Sequence, residues 1–308
     1  MPQRVVTLTL NPAIDMASTA PAVRPGHKIR TANEHIDPGG GGVNVARVIH
    51  VLGGETLALV LAGGVTGDFL GELLAESGVP HRCLPIGGST RISTTVHDDA
   101  TGAEYRFVPQ GPLVTEPEWR AILTELEQVD ADWIVASGSL PLGVPEDFYA
   151  QAARIAAWRG QSFALDSSGS PLKAALGAGI TLLKPSLNEL EILLGGSLAD
   201  PCAQEEQAMA LVNRNAADML ALTLGADGAL LATKTGVYHM AALPTTVRST
   251  VGAGDAFLAA LVLALARGKS PPAALAWGIA AGTVAVQGVG TARLTRSAVE
   301  ALVPPDAR

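Results

Sequence analysis

The chain has 308 residues, of which 48% are hydrophobic and 16% are charged, and its net charge is −8. A chain of this length and apolar content can bury one large α/β core or two small ones. The acidic balance and the lack of any lysine or arginine run exclude nucleic-acid binding by a basic face.

Short β-branched runs alternate along the chain with alanine-rich segments of helical pattern. The first predicted elements are a strand, a helix, a strand and a helix, at 4–10, 41–52, 56–64 and 67–78. Four further strands, each before a helical stretch, are predicted at 133–139, 162–168, 180–186 and 219–225. Because these strands are continuous apolar runs, the pattern predicts a parallel sheet that helices cover on both faces.

Two segments in the N-terminal half interrupt this alternation. Residues 19–36 are polar and include a short strand-like patch around 28–31. Residues 91–107 alternate between apolar and polar and turn at 98–102, which predicts an antiparallel hairpin.

The two interruptions predict a small β lid, formed by about 16–36 and 90–108, on a single domain that spans residues 1–308. A lid would keep water away from a reaction that water can intercept. A surface hairpin without a function is the alternative.

Two features near the N-terminus point to a ligand. Four successive glycines, Gly39–Gly42, precede the first predicted helix, where backbone can approach a ligand closely. A dinucleotide-binding fingerprint would directly follow the first strand, so a nicotinamide oxidoreductase is disfavoured. Asp15 follows that strand, and its carboxylate can accept two sugar hydroxyls; an Asx turn is the alternative.

The stretch 250–266 reads TVGAGDAFLAALVLALA. A glycine-rich turn before a helix start offers unpaired N–H groups, which suit a phosphate. Asp255 would repel that phosphate, so we expect it there for chemistry: a carboxylate beside bound phosphate can take the proton of an attacking hydroxyl. The alternative is that Asp255 only caps the helix N-terminus.

Polar residues also follow the later strands. Lys184 can contact a phosphate, and Glu189 can hold magnesium through water. Thr223, Gly225 and Gly228 lie between two predicted strands, where backbone can cradle a nucleotide. A solvated lysine or glutamate and a plain turn are the alternatives.

Together these features resemble the PfkB family of sugar kinases, and the resemblance covers almost the whole chain. Its strongest parts are GGGGVNVAR and TVGAGDAF, in this order and separation. The resemblance implies an α/β, three-layer ribokinase-like fold with a mostly parallel central sheet and a small β-sheet lid. The segments TLTLNPAID, YRFVPQG, SGSLPLG, LDSSG and STVGAGD are most similar to those of members that convert fructose 6-phosphate to fructose 1,6-bisphosphate with ATP.

The resemblance implies that Asp255 is the catalytic base and that Gly252, Ala253 and Gly254 offer N–H groups to the transferring phosphoryl group. The residues implied to bind the phosphosugar are Asp15, Lys28, Gly40, Asn44, Arg91, Arg106 and Ser139.

The remaining implied roles concern ATP and metal ions. The residues implied to bind the nucleotide are Lys184, Ser186, Thr223, Leu224, Gly225, Ala226, Asp227, Gly228, Val247, Ile279 and Thr283. Glu189 would hold magnesium through water. The residues implied to surround a monovalent cation such as potassium are Ser249, Val251, Ala285, Gly288 and Gly290.

The chain departs from the family pattern at two of these positions. Ser186 replaces an asparagine that helps to order metal and phosphates, and Gly288 stands where the most similar members have asparagine. We therefore expect altered magnesium binding and only backbone oxygen for a cation at Gly288.

Other substrates and other classes of function stay open. Kinases of tagatose 6-phosphate or fructose 1-phosphate usually carry lysine inside the glycine motif, where this chain has Gly41, so fructose 6-phosphate is favoured. A non-catalytic sugar- or nucleotide-binding protein is a remote alternative, because such a protein should have lost Asp255 or the anion-binding loop.

The resemblance further implies a homodimer that forms through the lid. Cys83 and Cys202 lack metal-ligand spacing and suit a reduced, cytoplasmic protein. We expect no signal peptide and no membrane span, because the N-terminus enters a strand directly and no apolar run reaches bilayer length uninterrupted.

Overall fold

The computed structural model describes residues 3–288 and 294–308. The strands are β1 Arg4–Thr9, β2 Ala13–Ala20, β3 Ala32–Gly39, β4 Glu55–Ala62, β5 His81–Pro85, β6 Arg91–Asp98, β7 Glu104–Phe107, β8 Trp133–Ser137, β9 Ser162–Asp166, β10 Leu182–Leu183, β11 Met219–Thr223, β12 Ala229–Thr233 and β13 Gly236–Met240. The helices are α1 Gly41–Val51, α2 Gly64–Glu76, α3 Glu116–Gln128, α4 Phe148–Trp158, α5 Gly169–Ala175, α6 Leu187–Leu194, α7 Pro201–Asn213, α8 Ala253–Ala266, α9 Pro271–Ala285 and α10 Arg296–Leu302.

The strands of the described residues form two sheets. The large sheet has the order β13-β12-β11-β10-β9-β8-β1-β4-β5, and the small sheet has the order β3-β2-β6-β7. The strands from β11 to β5 in that order are parallel, and β12 and β13 are antiparallel additions at one edge. The predicted α/β fold with a mostly parallel sheet and a small second sheet is confirmed.

Side chains from both faces of the large sheet are buried, which explains the continuous apolar strands. In β1, Val6 and Leu8 pack into a core with α3, α4 and α7, whereas Val5 packs into a core with α1, α8 and α9. Since each strand contributes to both layers, neither face can be polar.

Helix α8 packs between α1 and α9, and ten of its fourteen residues are buried. Small residues allow α9 to approach closely: a Cβ at Gly278 would lie 2.9 Å from the ring of Phe257. This packing explains why an almost wholly apolar helix follows the loop that carries Asp255.

The small sheet contains the predicted hairpin as β6 and β7, which pair in antiparallel register from Thr94 opposite Phe107 to His97 opposite Glu104. The predicted strand patch at 28–31 is wrong, because the strand begins only at Ala32. Two prolines and the positive φ of Gly26, 75°, keep the preceding loop irregular.

Two other predictions about strands are corrected. The segment predicted as a strand at 180–186 contains only the two-residue β10. The helix predicted after the strand at 219–225 is absent, since a short 3₁₀ turn at Gly225–Asp227 reverses the chain directly into β12. Among the described residues, no helix is both long enough and apolar enough to cross a membrane.

Candidate active site

A cavity of about 200 Å³ lies between the small sheet and the starts of α1 and α8. Its lining residues come from 13–108 and from 249–255, two parts of the chain that are far apart in the sequence. The predicted site residues that line it are Asp15, Gly40, Asn44, Arg91, Arg106, Ser249, Val251, Gly252 and Asp255. Asp37, His97 and Glu104 line it as well and were not predicted.

Asp255 is the third residue of α8, whose N-cap is Gly252 with a φ of 76°. The alternative that Asp255 only caps this helix is therefore wrong. The amide nitrogen of Asn44 donates a hydrogen bond of 2.9 Å to Asp255 Oδ2. Burial, together with the nearby negative charge of Asp166, raises the pKa of Asp255 from 3.8 to about 7. A carboxyl group that loses its proton near neutral pH is suited to general-base catalysis.

This raised pKa has a measurable effect on stability. Below pH 4 Asp255 is protonated in both states; between pH 4 and 7 only the folded state keeps the proton, so its contribution to stability falls as pH rises. The rise of the Asp255 pKa from 3.8 to about 7 costs up to about 4 kcal/mol of stability above pH 7, and less to the extent that water enters the cavity. We predict that Asp255→Asn unfolds at a higher temperature than the wild type at pH 8. Calorimetry from pH 8 to pH 4 should show this difference fading, and a variant less stable than wild type at pH 8 would contradict it.

The run Gly39–Gly42 is required by close packing. A Cβ at Gly39 would lie 2.2 Å from Asp15 Oδ2, one at Gly41 would lie 2.2 Å from Ser137 Oγ, and one at Gly42 would lie 2.3 Å from the carbonyl oxygen of Leu8. Larger residues would therefore displace the start of α1 from the sheet. Gly40 is the N-cap of α1, with a φ of 108°, a region that favours glycine.

Asp15 belongs to β2, directly opposite Asp37 in β3, so the Asx-turn alternative is wrong. Burial raises the pKa of Asp15, and Arg106 and Arg91 of the small sheet act against this shift. Asp37 accepts hydrogen bonds of 2.9 Å from Arg47 and from His35. These partners hold Asp37 in place and connect β3 to α1.

The two arginines predicted to bind a phosphate differ in their contacts. Arg91 donates to the carbonyl oxygens of Pro109 and Asn11 at 2.8 Å each and of Pro12 at 3.4 Å. A guanidinium group has five N–H donors, so two remain for a ligand. The side chain of Arg106 has no hydrogen-bond or ion-pair partner among the described residues and is exposed toward the cavity.

Lys184, one of the predicted nucleotide residues, lies beside the start of α8. It is 4% exposed, its Nζ lies 3.1 Å from Asp166 Oδ1, and a Cβ at Gly254 would lie 3.7 Å from the same nitrogen. Burial acts to lower the pKa of Lys184, but the negative charges of Asp166 and Glu189 outweigh it and leave the pKa raised. Lys184 is therefore a charged group beside the loop that carries Asp255.

Ser186 and Glu189 begin α6 as a capping box. Ser186 N donates to Glu189 Oε2 at 2.7 Å, and Glu189 N donates to Ser186 Oγ at 3.3 Å. One oxygen of Glu189 keeps no hydrogen bond among the described residues. One such carboxylate suits a magnesium ion that is held mainly by water and phosphate.

The predicted nucleotide turn lies beside this helix. Ser186 and Thr223 form a parallel bridge, so the turn that contains Leu224, Ala226 and Asp227 continues from the same edge of the sheet. Gly228 closes the turn with a φ of 98°.

The other predicted nucleotide residues lie on and near α9, which packs against β12 and β13. Ile279 and Thr283 are buried in that helix, and Val247 is 58% exposed.

The predicted cation residues lie on adjoining segments. The backbone N–H groups of Arg248 and Ser249 donate to the carbonyl oxygen of Val286, which places Ser249 and Val251 next to the turn after Ala285. The N–H of Gly288 donates to the carbonyl of Ala285 at 3.3 Å. Gly290 lies outside the described residues.

Two predicted sugar residues do not line the cavity. Lys28 lies on the exposed loop between β2 and β3. Ser139 follows β8, and Asn11 Nδ2 donates a hydrogen bond of 3.2 Å to Ser139 Oγ.

Sequence reasoning missed Asp166, Ser137, Asn11 and Asp37. Asp166 and Ser137 end the buried strands β9 and β8, and Asn11 lies two residues after β1, so polarity at a strand end was the available signal for these three. Asp37 lies inside β3, two residues before the glycine run, and strand-end polarity did not mark it.

The sequence matches the pfkB family of carbohydrate kinases over residues 5–297. It is 43% identical over 299 residues to the ATP-dependent 6-phosphofructokinase isozyme 2 of Mycobacterium tuberculosis, covering 96% of this chain and 88% of that protein. It is 38% identical over 290 residues to the protein of the same name from Escherichia coli K12, covering 94% of each. The structure is similar to that of phosphofructokinase-2 from Escherichia coli in complex with potassium, with a TM-score of 0.93, 36% identity and 98% coverage of each chain.

Proposed function

Because the chain belongs to the pfkB family of carbohydrate kinases, we propose that it transfers the γ-phosphoryl group of ATP to fructose 6-phosphate and makes fructose 1,6-bisphosphate. The names of its relatives support this substrate. The observation that carries the proposal is the position of Asp255 in one cavity with Asn44, Asp15 and Arg106. Together these residues supply a base, a hydroxyl acceptor and a phosphate-binding cation.

Asp255 is the general base of the proposed reaction. The hydrogen bond from Asn44 fixes one carboxylate oxygen and leaves the other for the sugar hydroxyl at carbon one. The hydroxyl gives its proton to Asp255 as its oxygen attacks the γ-phosphorus, and the bond from that phosphorus to ADP breaks.

The start of α8 stabilises the charge of the transferring group. The N–H groups of Gly252, Ala253 and Gly254 precede or begin the helix, where its dipole is positive. Lys184 adds a buried cation at the same place, held in position by Asp166. These groups are preorganised, because each is fixed by the fold before ATP binds.

The sugar is oriented by its two ends. Asp15 accepts ring hydroxyls near Gly40, while Arg106, the free N–H groups of Arg91 and the hydroxyl of Ser139 bind the phosphate at carbon six. Lys28 contributes if the exposed loop of the lid folds over the site. This orientation directs carbon one toward Asp255.

Glu189 would hold magnesium through water, and the ion would supply charge neutralisation between the phosphates of ATP. The adenine end of ATP would lie between the turn Thr223–Gly228 and α9. Backbone oxygens near Ser249 and Ala285 suit potassium, which the similar structure from Escherichia coli contains.

Arg106 provides a direct test of the phosphate site. We predict that Arg106→Ala raises the KM for fructose 6-phosphate by ~10-fold or more, since it removes charged hydrogen bonds worth ~1.5–3 kcal/mol each. The KM for ATP should stay within ~2-fold, because Arg106 lies on the lid. Steady-state kinetics on Arg106→Ala and Arg106→Lys would decide this, and a defect confined to ATP would refute the assignment.

The function itself is tested by a coupled assay of ADP release with ATP, magnesium and a panel of sugars. Fructose 6-phosphate should be the best substrate, with tagatose 6-phosphate poorer and fructose 1-phosphate and unphosphorylated fructose poorer still. ADP release that does not depend on any phosphosugar would refute the proposal.

The lid also suits a homodimer. One face of β6 and β7 lines the cavity, and the other presents exposed Ile92, Tyr105 and Phe107. A second lid that packs there would cover apolar surface and the strand edges. Sedimentation of Phe107→Asp, compared with wild type, tests this assembly, and an unchanged mass would refute it.

The two cysteines are unpaired, with Cys202 exposed. This state suits a reducing, cytoplasmic location, which cell fractionation would test.

A further inference from the structure

Asn11 follows β1 at the junction of the two sheets and is only 4% exposed. Its Nδ2 donates to the carbonyl oxygen of Gln110 at 2.9 Å and to Ser139 Oγ at 3.2 Å. The backbone carbonyl oxygen of Asn11 accepts a hydrogen bond of 2.8 Å from the side chain of Arg91. One residue thereby connects the end of β1 with three segments that are distant in the sequence.

These bonds have a fixed direction. A carbonyl group can only accept, so the amide nitrogen of Asn11 must face Gln110. Ser139 Oγ accepts from the same nitrogen, which leaves the hydroxyl proton of Ser139 to be donated elsewhere. Asn11 thus presents Ser139 as a hydrogen-bond donor.

The contact between Asn11 and the loop after β7 is close. Gly111 has a φ of 95°, and a Cβ at this position would lie 2.2 Å from Asn11 Oδ1. The carbonyl oxygen of Pro109 in the same loop accepts a hydrogen bond from Arg91. Asn11 and Arg91 therefore hold this loop from two sides.

The side-chain amide of Asn11 includes one unfavourable group. Asn11 Oδ1 is buried and has no hydrogen-bond partner among the described residues. A buried acceptor without a partner lowers the stability of the fold, so an apolar residue of similar size would give a more stable fold if only packing mattered. The two donated hydrogen bonds are what an apolar residue could not replace.

We propose that Asn11 is a positioning residue whose side chain orients Ser139 toward the phosphate of the bound sugar. The inference rests on the proposed function, which assigns Ser139 to the phosphosugar. Asn11 does not contact the sugar itself; its side chain sets affinity through Ser139.

The test is a double-mutant cycle with Asn11→Ala and Ser139→Ala, measured as the KM for fructose 6-phosphate and for ATP. Asn11→Ala should raise the sugar KM by ~10-fold or more and leave the ATP KM within ~2-fold. In the Ser139→Ala background the same change should cost at least ~3-fold less, because the residue that it orients is gone. Additive effects, or equal increases in both KM values, would overturn the inference.

Gln204→Ala is the matched control. Gln204 is also a buried amide, 7% exposed, and donates to the carbonyl of Leu198 at 2.8 Å, far from the cavity in α7. It should lower thermal stability without changing the sugar KM. If it raises the sugar KM as much as Asn11→Ala does, Asn11 has only a structural role.

If Asn11→Ala does not fold, Asn11→Ser replaces it in the same cycle. It fills more of the site, but its shorter side chain does not reach both acceptors. Wild-type protein that fails to phosphorylate fructose 6-phosphate would refute the proposed function. Active wild type with additive variants would refute only the role of Asn11.

Discussion

Asp255→Asn is expected to lower kcat by ~10²–10⁴-fold, the loss that follows removal of a positioned general base. Asparagine has nearly the same shape and can still accept the hydrogen bond from Asn44, but it cannot take the proton of the sugar hydroxyl. The loss should therefore appear in kcat, while ATP binding is preserved. Rapid-quench or steady-state kinetics at saturating ATP and sugar measure it.

The control for this variant is its folding and its ATP affinity. Circular dichroism and calorimetry should show a folded protein that is at least as stable as wild type at pH 8, as the raised pKa of Asp255 requires. Turnover close to that of wild type would show that another group accepts the proton.

Fructose 6-phosphate is expected to exceed fructose 1-phosphate in kcat/KM by at least ~10²-fold. Without reversal in the cavity, a phosphate on carbon one faces Asp255 and lacks the charged hydrogen bonds of Arg91 and Arg106, worth ~1.5–3 kcal/mol each. Reversal restores those contacts but takes the ring hydroxyls away from Asp15. Gly41 has no side chain that could replace the two arginines. A larger residue does not fit there, because its Cβ would lie 2.2 Å from Ser137 Oγ and 3.0 Å from the carbonyl carbon of Ser137.

Tagatose 6-phosphate differs only in one ring hydroxyl and should be a poorer but real substrate. All three sugars are compared at one fixed concentration of ATP and magnesium. A preference for fructose 1-phosphate would mean that the sugar binds in the reversed orientation, with carbon six toward Asp255.

The alternation of strand-like and helix-like segments along the chain was sufficient to predict the main architecture. Continuous apolar runs predicted buried parallel strands, and the alternating segment 91–107 predicted the hairpin of β6 and β7. The patch at 28–31 failed because it is too short for a periodic signal, and the actual strand, β3, contains charged residues and a proline.

The composition of the cavity could be predicted only in part. Glycine-rich motifs marked the starts of α1 and α8, and the family resemblance assigned residues of both motifs to one site. Nothing in the local sequence shows that Asn44 and Asp255, which are 211 positions apart, share a hydrogen bond of 2.9 Å. That contact exists because α1 and α8 pack side by side on the same face of the sheet.

Supporting residues were harder to find than ligand-binding ones. Asp37 and Asn11 act through neighbours on other strands and loops, so their roles depend on register and on distances of a few ångströms. The glycine run was predicted to approach a ligand, whereas three of its positions are also required by contacts with Asp15, Ser137 and Leu8.

The position of the new phosphate tests the central claim most directly. Purified protein is incubated with ATP, magnesium and fructose 6-phosphate, and the product is identified by phosphorus NMR. The proposed orientation predicts fructose 1,6-bisphosphate and an equal amount of ADP. No transfer to the sugar, or a phosphate added at any carbon other than carbon one, would contradict it.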